Sequence, residues 1–203
     1  MLNVIARAHV NRVTEPFGRW LVRLGVTPDA VTVAGTLGSV AAALWFLPRG
    51  QLFFGTLGVT VFVLFDLVDG AMARAKGKGT PFGAVLDSTC DRIADGALFV
   101  GAAASGANMG QPLLLWSSLV AIVASFLVPY VRAKAESLGV GASVGPAPRE
   151  ARIVIFLIGL AAWALFNLQW LFVVAVLALA LLSSITFVMR VVHVARQLSI
   201  KER

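Results

Sequence analysis

The sequence contains a single cysteine, Cys90, so no disulfide bond can form within the chain. Histidine is almost as scarce: His9 and His193 lie near the two ends, so we expect no Ser–His or Cys–His pair to act as nucleophile and base. Charged residues make up 13% of the 203 residues, 59% are hydrophobic, and the mean hydropathy is +0.87. This composition excludes an ordinary water-soluble domain and predicts an integral membrane protein that forms one domain, residues 1–203.

Several other signals are missing along the chain. We find no alternation of apolar and polar residues typical of barrel strands, no internal repeat and no low-complexity tail. The first 28 residues are basic without an uninterrupted apolar core, so we expect no signal peptide and interpret residues 1–28 as an amphipathic segment on the cytoplasmic membrane surface. The net charge of +7 does not indicate nucleic-acid binding, because the sequence contains no recognisable soluble module that binds nucleic acid.

Long apolar runs separated by polar or Gly/Pro-rich stretches predict an all-α integral membrane protein. We expect six transmembrane helices in a bundle over residues 29–203, preceded by an N-terminal amphipathic juxtamembrane helix. The predicted spans are 30–47, 52–73, 82–105, 112–133, 152–167 and 170–190. With the N-terminus inside, nearly all Lys and Arg fall on the cytoplasmic side and only Arg49 falls outside. The sequence therefore predicts a multi-pass cell-membrane protein with both termini in the cytoplasm.

Four aspartates interrupt the second and third apolar runs. Asp66 and Asp69 share a helix face near the end of the second run, and Asp87 and Asp91 are spaced i, i+4 on the third. Ionised carboxylates in hydrocarbon are costly unless they pair, bind metal or line water. Four carboxylates at similar depth are balanced by two divalent cations, and their hard oxygen ligands favour Mg²⁺, with Mn²⁺ as a possibility.

Two metal ions held by carboxylates suit a phosphate-ester substrate. Gly70 and Ala73 clear one face of the helix for a nucleotide or pyrophosphate, and Arg74 supplies a contact to phosphate. Two other interpretations stay open at this point. The first is a structural ion-pair cluster of the acids with Arg74 and Arg92, and the second is a cation or proton pathway in a carrier that is not an enzyme.

The spacing of these residues resembles the signature of the CDP-alcohol phosphotransferases. The matching positions are Asp66-x-x-Asp69-Gly70-x-x-Ala73-Arg74, then Gly83-x-x-x-Asp87-x-x-x-Asp91. The resemblance implies an enzyme that moves a phospho-alcohol group from a CDP-linked donor to an acceptor hydroxyl and releases CMP. It also implies an active site open to the cytoplasm and a homodimer.

The same resemblance assigns roles to individual residues. Asp66, Asp69, Asp87 and Asp91 become the metal ligands, Asp66 and Asp87 being able to bridge both ions, and Asp91 doubles as the general base. The residues implied in binding the donor are Asp29, Ala30, Val31, Thr32, Gly70, Ala73, Arg74 and Thr80. For Asp29, a plain helix N-cap is the alternative.

A membrane-embedded site beside apolar helices favours CDP-diacylglycerol as the donor. For the acceptor, five cations on the cytoplasmic level suggest an anion pocket: Arg132, Lys134, Arg149, Arg152 and Arg190. For each of these residues the alternative explanation is membrane topology, because Lys and Arg in short loops are generally retained on the cytoplasmic side. The segment "GVTPDAVTVAG" at 25–35 is similar to the N-terminal arrangement of bacterial phosphatidylinositol-phosphate synthases. We therefore expect transfer of the phosphatidyl group to inositol phosphate, giving phosphatidylinositol phosphate and CMP, with glycerol 3-phosphate as the alternative acceptor.

Two charged residues, Arg92 and Asp95, fall outside the signature. Asp95 lies one helical turn beyond Asp91, and we interpret it as a residue that orients others or pairs with a helix base, not as a catalytic group.

Overall fold

The computed structural model describes residues 16–75, 79–146 and 148–201, and these are helical apart from short connections. Residues 16–23 form α1. The longer helices are α2 (Pro28–Phe46), α3 (Leu52–Ala75), α4 (Pro81–Asn108), α5 (Pro112–Ser137), α6 (Arg149–Phe166) and α7 (Gln169–Lys201). All six helices predicted after residue 29 are confirmed, and α7 continues about three turns past its expected end. Residues 1–15 of the predicted amphipathic segment lie outside the described residues.

Four of these helices are long and apolar enough to cross a membrane, judged over the described ranges. They cover Pro28–Phe46, Leu52–Arg74, Pro112–Ser137 and Gln169–Ile200. Helices α4 and α6 fall short because they carry charged side chains, among them Asp87, Asp91 and Asp95 on α4 and Arg149 and Arg152 on α6. A membrane protein is thus supported, whereas six spans are not established by helix composition alone.

The chain divides into two compact units. The first unit comprises Leu57–Ala94 and the described residues as far as Ala42, so it holds α1, most of α2 and α3, and the first half of α4. Glycines let α2 approach α3 within it. A Cβ atom on Gly38 would lie 2.3 Å from the Phe62 ring, and one on Gly35 would lie 2.7 Å from the Phe65 Cβ. The two backbones therefore pack closely just before the residues of the acidic signature.

The second unit comprises Ala43–Thr56 and Asp95–Arg203, and its main packing is that of α7 against α5 and α6. Phe156 is at the centre of an aromatic cluster, with edge-to-face contacts to Phe99 and Phe172 at ring-centroid distances of 5.6 and 5.2 Å. A Cβ on Gly159 would lie 2.7 Å from the Ala175 Cβ, so α6 and α7 also meet at a glycine. This buried framework holds the start of α6, where Arg149 and Arg152 lie.

Candidate active site

An acidic pocket of about 750 Å³ lies within the first unit. Its carboxylates come from three helices: Asp29 from α2, Asp66 and Asp69 from α3, and Asp87 from α4. The remaining lining residues are Thr27, Pro28, Thr32, Gly70, Ala73, Gly79, Thr80, Pro81, Gly83 and Ala84. Three of the four predicted metal ligands and five of the eight predicted donor-site residues thus share one pocket.

The start of α2 reaches the pocket through a specific capping arrangement. The Thr27 hydroxyl oxygen accepts a hydrogen bond from the Ala30 N–H at 3.2 Å, so Thr27, and not Asp29, caps the helix. One turn further, the Thr32 hydroxyl donates to the carboxylate of Asp69 on α3. Asp69 is only 7% exposed. The alternative of Asp29 as the helix cap is therefore wrong, and Thr32 holds one of the signature aspartates in place.

The start of α4 is built in a similar way. The Thr80 hydroxyl oxygen accepts from the Gly83 N–H at 2.9 Å, which caps α4. A Cβ on Gly83 would lie 3.0 Å from the Thr80 Oγ1 and 3.2 Å from the Asp29 Oδ1. The glycine of the signature thus leaves room for the α2 and α4 starts to meet, and Thr80 has a structural role besides lining the pocket.

Gly70 leaves open space on the pocket side of α3. A Cβ at this position would meet only the Arg74 Nη1, at 3.5 Å, which is an ordinary contact. No tight helix packing therefore requires a glycine here, unlike at Gly38. Arg74, Ala30 and Val31 are not among the lining residues, and the Val31 side chain is buried instead.

Asp91 differs from the other three signature aspartates. It is not among the pocket-lining residues, and its Oδ2 pairs with the Arg92 Nη2 at 3.4 Å. Asp66 and Asp87 are close enough for their charges to act on Asp69. Even so, no three His, Cys, Asp or Glu side chains of the described residues gather tightly enough to hold an ion. The structure brings three of the four signature carboxylates together in one pocket and leaves Asp91 beside Arg92.

A separate cluster of charges lies in the second unit, around Asp95. This carboxylate is 4% exposed and binds two arginines of the first turn of α6. Its Oδ1 accepts from the Arg149 Nε at 3.2 Å, and its Oδ2 accepts from the Arg152 Nη2 at 3.4 Å. Asp95 therefore pairs with basic residues of a helix. This is one of the two interpretations that its position, one turn beyond Asp91, suggested.

The other predicted acceptor-site cations have varied partners. Arg190 donates to the main-chain carbonyls of Val144 (3.0 Å) and Val128 (2.8 Å), and so ties α7 to α5 and to the segment before α6. Arg132 pairs with Glu136 at 2.8 Å, both side chains being 52% exposed, and Lys134 is exposed. The charges of Arg132 and Arg152 also act on Arg190. The structure thus groups at least these three arginines in one cationic region.

Comparison with known proteins links this chain to relatives over most of its length. The phosphatidylinositol phosphate synthase of Mycobacteroides abscessus is 42% identical over 197 residues, which cover 97% of this chain and 89% of the relative. The protein of that name from Streptomyces avermitilis is 43% identical over 204 residues, covering 97% and 84%.

Two crystal structures of the Mycobacterium tuberculosis phosphatidylinositol phosphate synthase are also similar. The structure with CDP-DAG bound has a TM-score of 0.83 at 42% identity, and the match covers 90% of this chain and 94% of that one. The complex with manganese and citrate has a TM-score of 0.84 at 43% identity, covering 90% and 88%. These similarities confirm the prediction of a transferase, and they do not support the alternative of a carrier that is not an enzyme.

A family model, CDP-alcohol phosphatidyltransferase, matches residues 25–183. This range contains every signature position from Asp66 to Asp91, the capped starts of α2 and α4, and the Asp95 cluster with its arginines. The match therefore confirms the relationship that the signature spacing predicts. This chain belongs to the CDP-alcohol phosphatidyltransferase family.

Proposed function

We propose that this protein transfers the phosphatidyl group of CDP-diacylglycerol to a hydroxyl of inositol phosphate, giving phosphatidylinositol phosphate and CMP. The observation that carries this proposal is the pocket of about 750 Å³ in which Asp66, Asp69 and Asp87 meet the capped starts of α2 and α4. Similar proteins named phosphatidylinositol phosphate synthase, one of them solved with CDP-DAG bound, support the choice of donor and acceptor.

The carboxylates of this pocket fit a divalent metal. Asp66, Asp69, Asp87 and Asp91 offer only hard oxygen donors, the ligands that Mg²⁺ and Mn²⁺ prefer, and three of them already line one cavity. We infer that these four residues hold two Mg²⁺ ions, which Mn²⁺ can replace. When bound, the ions neutralise and orient the charged oxygens of the donor pyrophosphate.

The donor nucleotide is proposed to lie against Gly70 and Ala73. The open face of α3 lets a planar or charged group approach the helix closely, and the pocket volume is in the ordinary range for a small-molecule site. Asp29, Thr32 and Thr80 add polar groups to the lining. The flanking residues Ala30, Val31 and Arg74 complete the proposed donor segment, with Arg74 reaching the phosphates from the rim.

Asp91 is proposed as the general base. It accepts the proton of the acceptor hydroxyl as that oxygen attacks the phosphorus that carries the diacylglycerol group. A new P–O bond forms to the acceptor, the P–O bond to CMP breaks, and CMP leaves with the electron pair. The displacement is direct and involves no covalent enzyme intermediate, because the acceptor oxygen itself attacks the phosphorus.

The acceptor phosphate is proposed to bind the cations of the second unit, which are Arg132, Lys134, Arg149, Arg152 and Arg190. Guanidinium groups match phosphate oxygens in geometry and number of donors. Arg149 and Arg152 are the strongest candidates, because Asp95 fixes both of them at the start of α6. This preference for an anion favours inositol phosphate or glycerol 3-phosphate over neutral alcohols.

We further propose six membrane spans, with α4 and α6 crossing despite their charges because those charges face polar partners inside the protein. The active site and both termini then lie on the cytoplasmic side of the cell membrane, and the protein forms a homodimer. Labelling of single cysteines introduced into the connections, in sealed vesicles, tests the orientation, and cross-linking in the membrane tests the dimer.

The deciding experiment measures CMP release from CDP-diacylglycerol by the purified protein. Release is expected only when a divalent metal and inositol phosphate are both present, and chelation should abolish it. Glycerol 3-phosphate, free inositol and serine complete the acceptor panel. Release with glycerol 3-phosphate alone would replace the acceptor, whereas metal-independent release or none at all would contradict the proposed reaction.

A further inference from the structure

Asp95 lies outside the signature and outside the acidic pocket, yet it is among the most buried charged groups of the described residues. Its two carboxylate oxygens bind different arginines, Arg149 and Arg152, which lie three residues apart on one face of α6. Arg152 is buried, being 4% exposed, and Arg149 is partly buried. One carboxylate from α4 thus sets the direction of two guanidinium groups at once.

Asp95 supplies one carboxylate to two guanidinium groups, so this contact alone does not neutralise both arginines. Guanidinium groups are suited to bind an anionic group. A guanidinium carries five N–H donors in a fixed fork, more than one carboxylate oxygen can accept, so the same arginine can hold Asp95 and a phosphate together.

Fixing long arginine side chains in advance has a direct effect on binding. An arginine that is mobile before binding loses rotamer freedom when it holds a ligand, and this loss weakens the complex. An arginine already held by a buried carboxylate has undergone that ordering during folding. The prior ordering is therefore expected to increase the affinity for the anion that the arginines bind, and not the rate of the chemical step.

We infer that Asp95 is a positioning residue that presets Arg149 and Arg152 for the phosphate of the acceptor. This inference rests on the proposed function, since it assigns Asp95 to the acceptor part of that reaction. A purely electrostatic role of Asp95 would change the affinity for the anionic acceptor in the opposite direction. Removal of a negative charge next to an anion site should strengthen anion binding, whereas removal of a positioning contact should weaken it.

The test compares Asp95→Asn with the wild type in the CMP-release assay, at saturating metal. We expect the KM for inositol phosphate to rise about tenfold or more, while the KM for CDP-diacylglycerol stays within about twofold. Asp95→Glu keeps the charge but moves the carboxylate, so it should raise the acceptor KM by a smaller factor. Glu150→Gln is the matched control, because it removes an exposed carboxylate from the same first turn of α6, and it should raise neither KM.

An unchanged or lowered acceptor KM in Asp95→Asn would overturn the inference, and so would an equal rise in both KM values, which indicates general loss of structure. If Asp95→Asn does not yield folded protein, a wild-type acceptor KM in Asp95→Glu overturns it instead. The acceptor panel separates this result from failure of the proposed function. Where the wild type uses glycerol 3-phosphate, the same variants are measured with that acceptor, and a wild type that uses only neutral acceptors refutes the positioning role.

Discussion

The acidic pocket and the Asp95 cluster show two different ways of placing charges in an apolar protein. The acidic pocket draws its signature carboxylates from one short stretch, residues 66–87, at the end of α3 and the start of α4. The Asp95 cluster joins residues 54 and 57 positions apart. In the first region like charges are gathered, and in the second each carboxylate oxygen meets an arginine.

This difference bears on what each region is suited to do. Carboxylates placed together repel one another and are stabilised by cations, so the pocket is suited to bind metal and to act in chemistry. A carboxylate that binds two arginines fixes the positions of both guanidinium groups, which are suited to hold an anion. Changes in the acidic pocket should therefore affect turnover, and changes in the cluster should affect the affinity of one substrate.

The largest expected effect is that of Asp91→Asn. Loss of the proposed base should lower kcat by about 10²–10⁴-fold, while binding of CDP-diacylglycerol is largely kept. Single-turnover CMP release and a separate donor-binding measurement give the two quantities. Asp66→Asn is the comparison variant, since it should raise the metal concentration needed for activity. Near-normal turnover in Asp91→Asn would remove that residue from the chemistry.

The next effect concerns an arginine of the cluster. Arg152→Lys keeps the charge but loses the planar fork, so the KM for inositol phosphate should rise about tenfold, equivalent to about 1.4 kcal/mol, while the donor KM is unchanged. Arg49→Lys serves as the matched control, because Arg49 lies over the Trp45 ring in another connection. Equal acceptor kinetics in both variants would indicate that Arg152 contributes only charge or topology.

Two glycines then distinguish packing from binding. Gly38→Leu should destabilise the protein by about 1–3 kcal/mol, because even its Cβ would overlap the Phe62 ring. Gly70→Leu should leave thermal stability nearly unchanged but raise the donor KM, since its side chain would fill the open face of α3. Gly70→Ala should also keep the stability, and it should raise the donor KM by a smaller factor than Gly70→Leu. A loss of stability in Gly70→Leu comparable to that of Gly38→Leu would show that Gly70 has a packing role.

The smallest effect is expected at Thr80. Thr80→Ala removes the cap of α4 and should lower stability by about 1 kcal/mol, as measured by thermal unfolding in detergent. Thr80→Ser keeps the hydroxyl oxygen and should restore stability. A large change in the donor KM of Thr80→Ala, without loss of stability, would assign Thr80 to substrate binding and not to capping.

Much of the fold and part of the site followed from local sequence. Apolar runs and their polar separators predicted all six helices after residue 29, and the i, i+3 and i, i+4 spacings of the aspartates predicted their shared faces. Helix composition did not establish six spans, because α4 and α6 carry several charged side chains. Helix α3 also carries charged residues, namely Asp66, Asp69 and Arg74, but it is still apolar enough to cross a membrane.

The sequence by itself determined where the helices lie along the chain, that their surroundings are apolar, and how the signature residues are spaced. Each of these properties depends on residues within a turn or two of one another. Tertiary structure alone decided which polar groups meet. It joined Thr32 to Asp69, and it placed Asp95 against two arginines more than 50 residues away. Such pairings depend on how helices pack, and a buried charge accepts whichever partner that packing brings within hydrogen-bond distance.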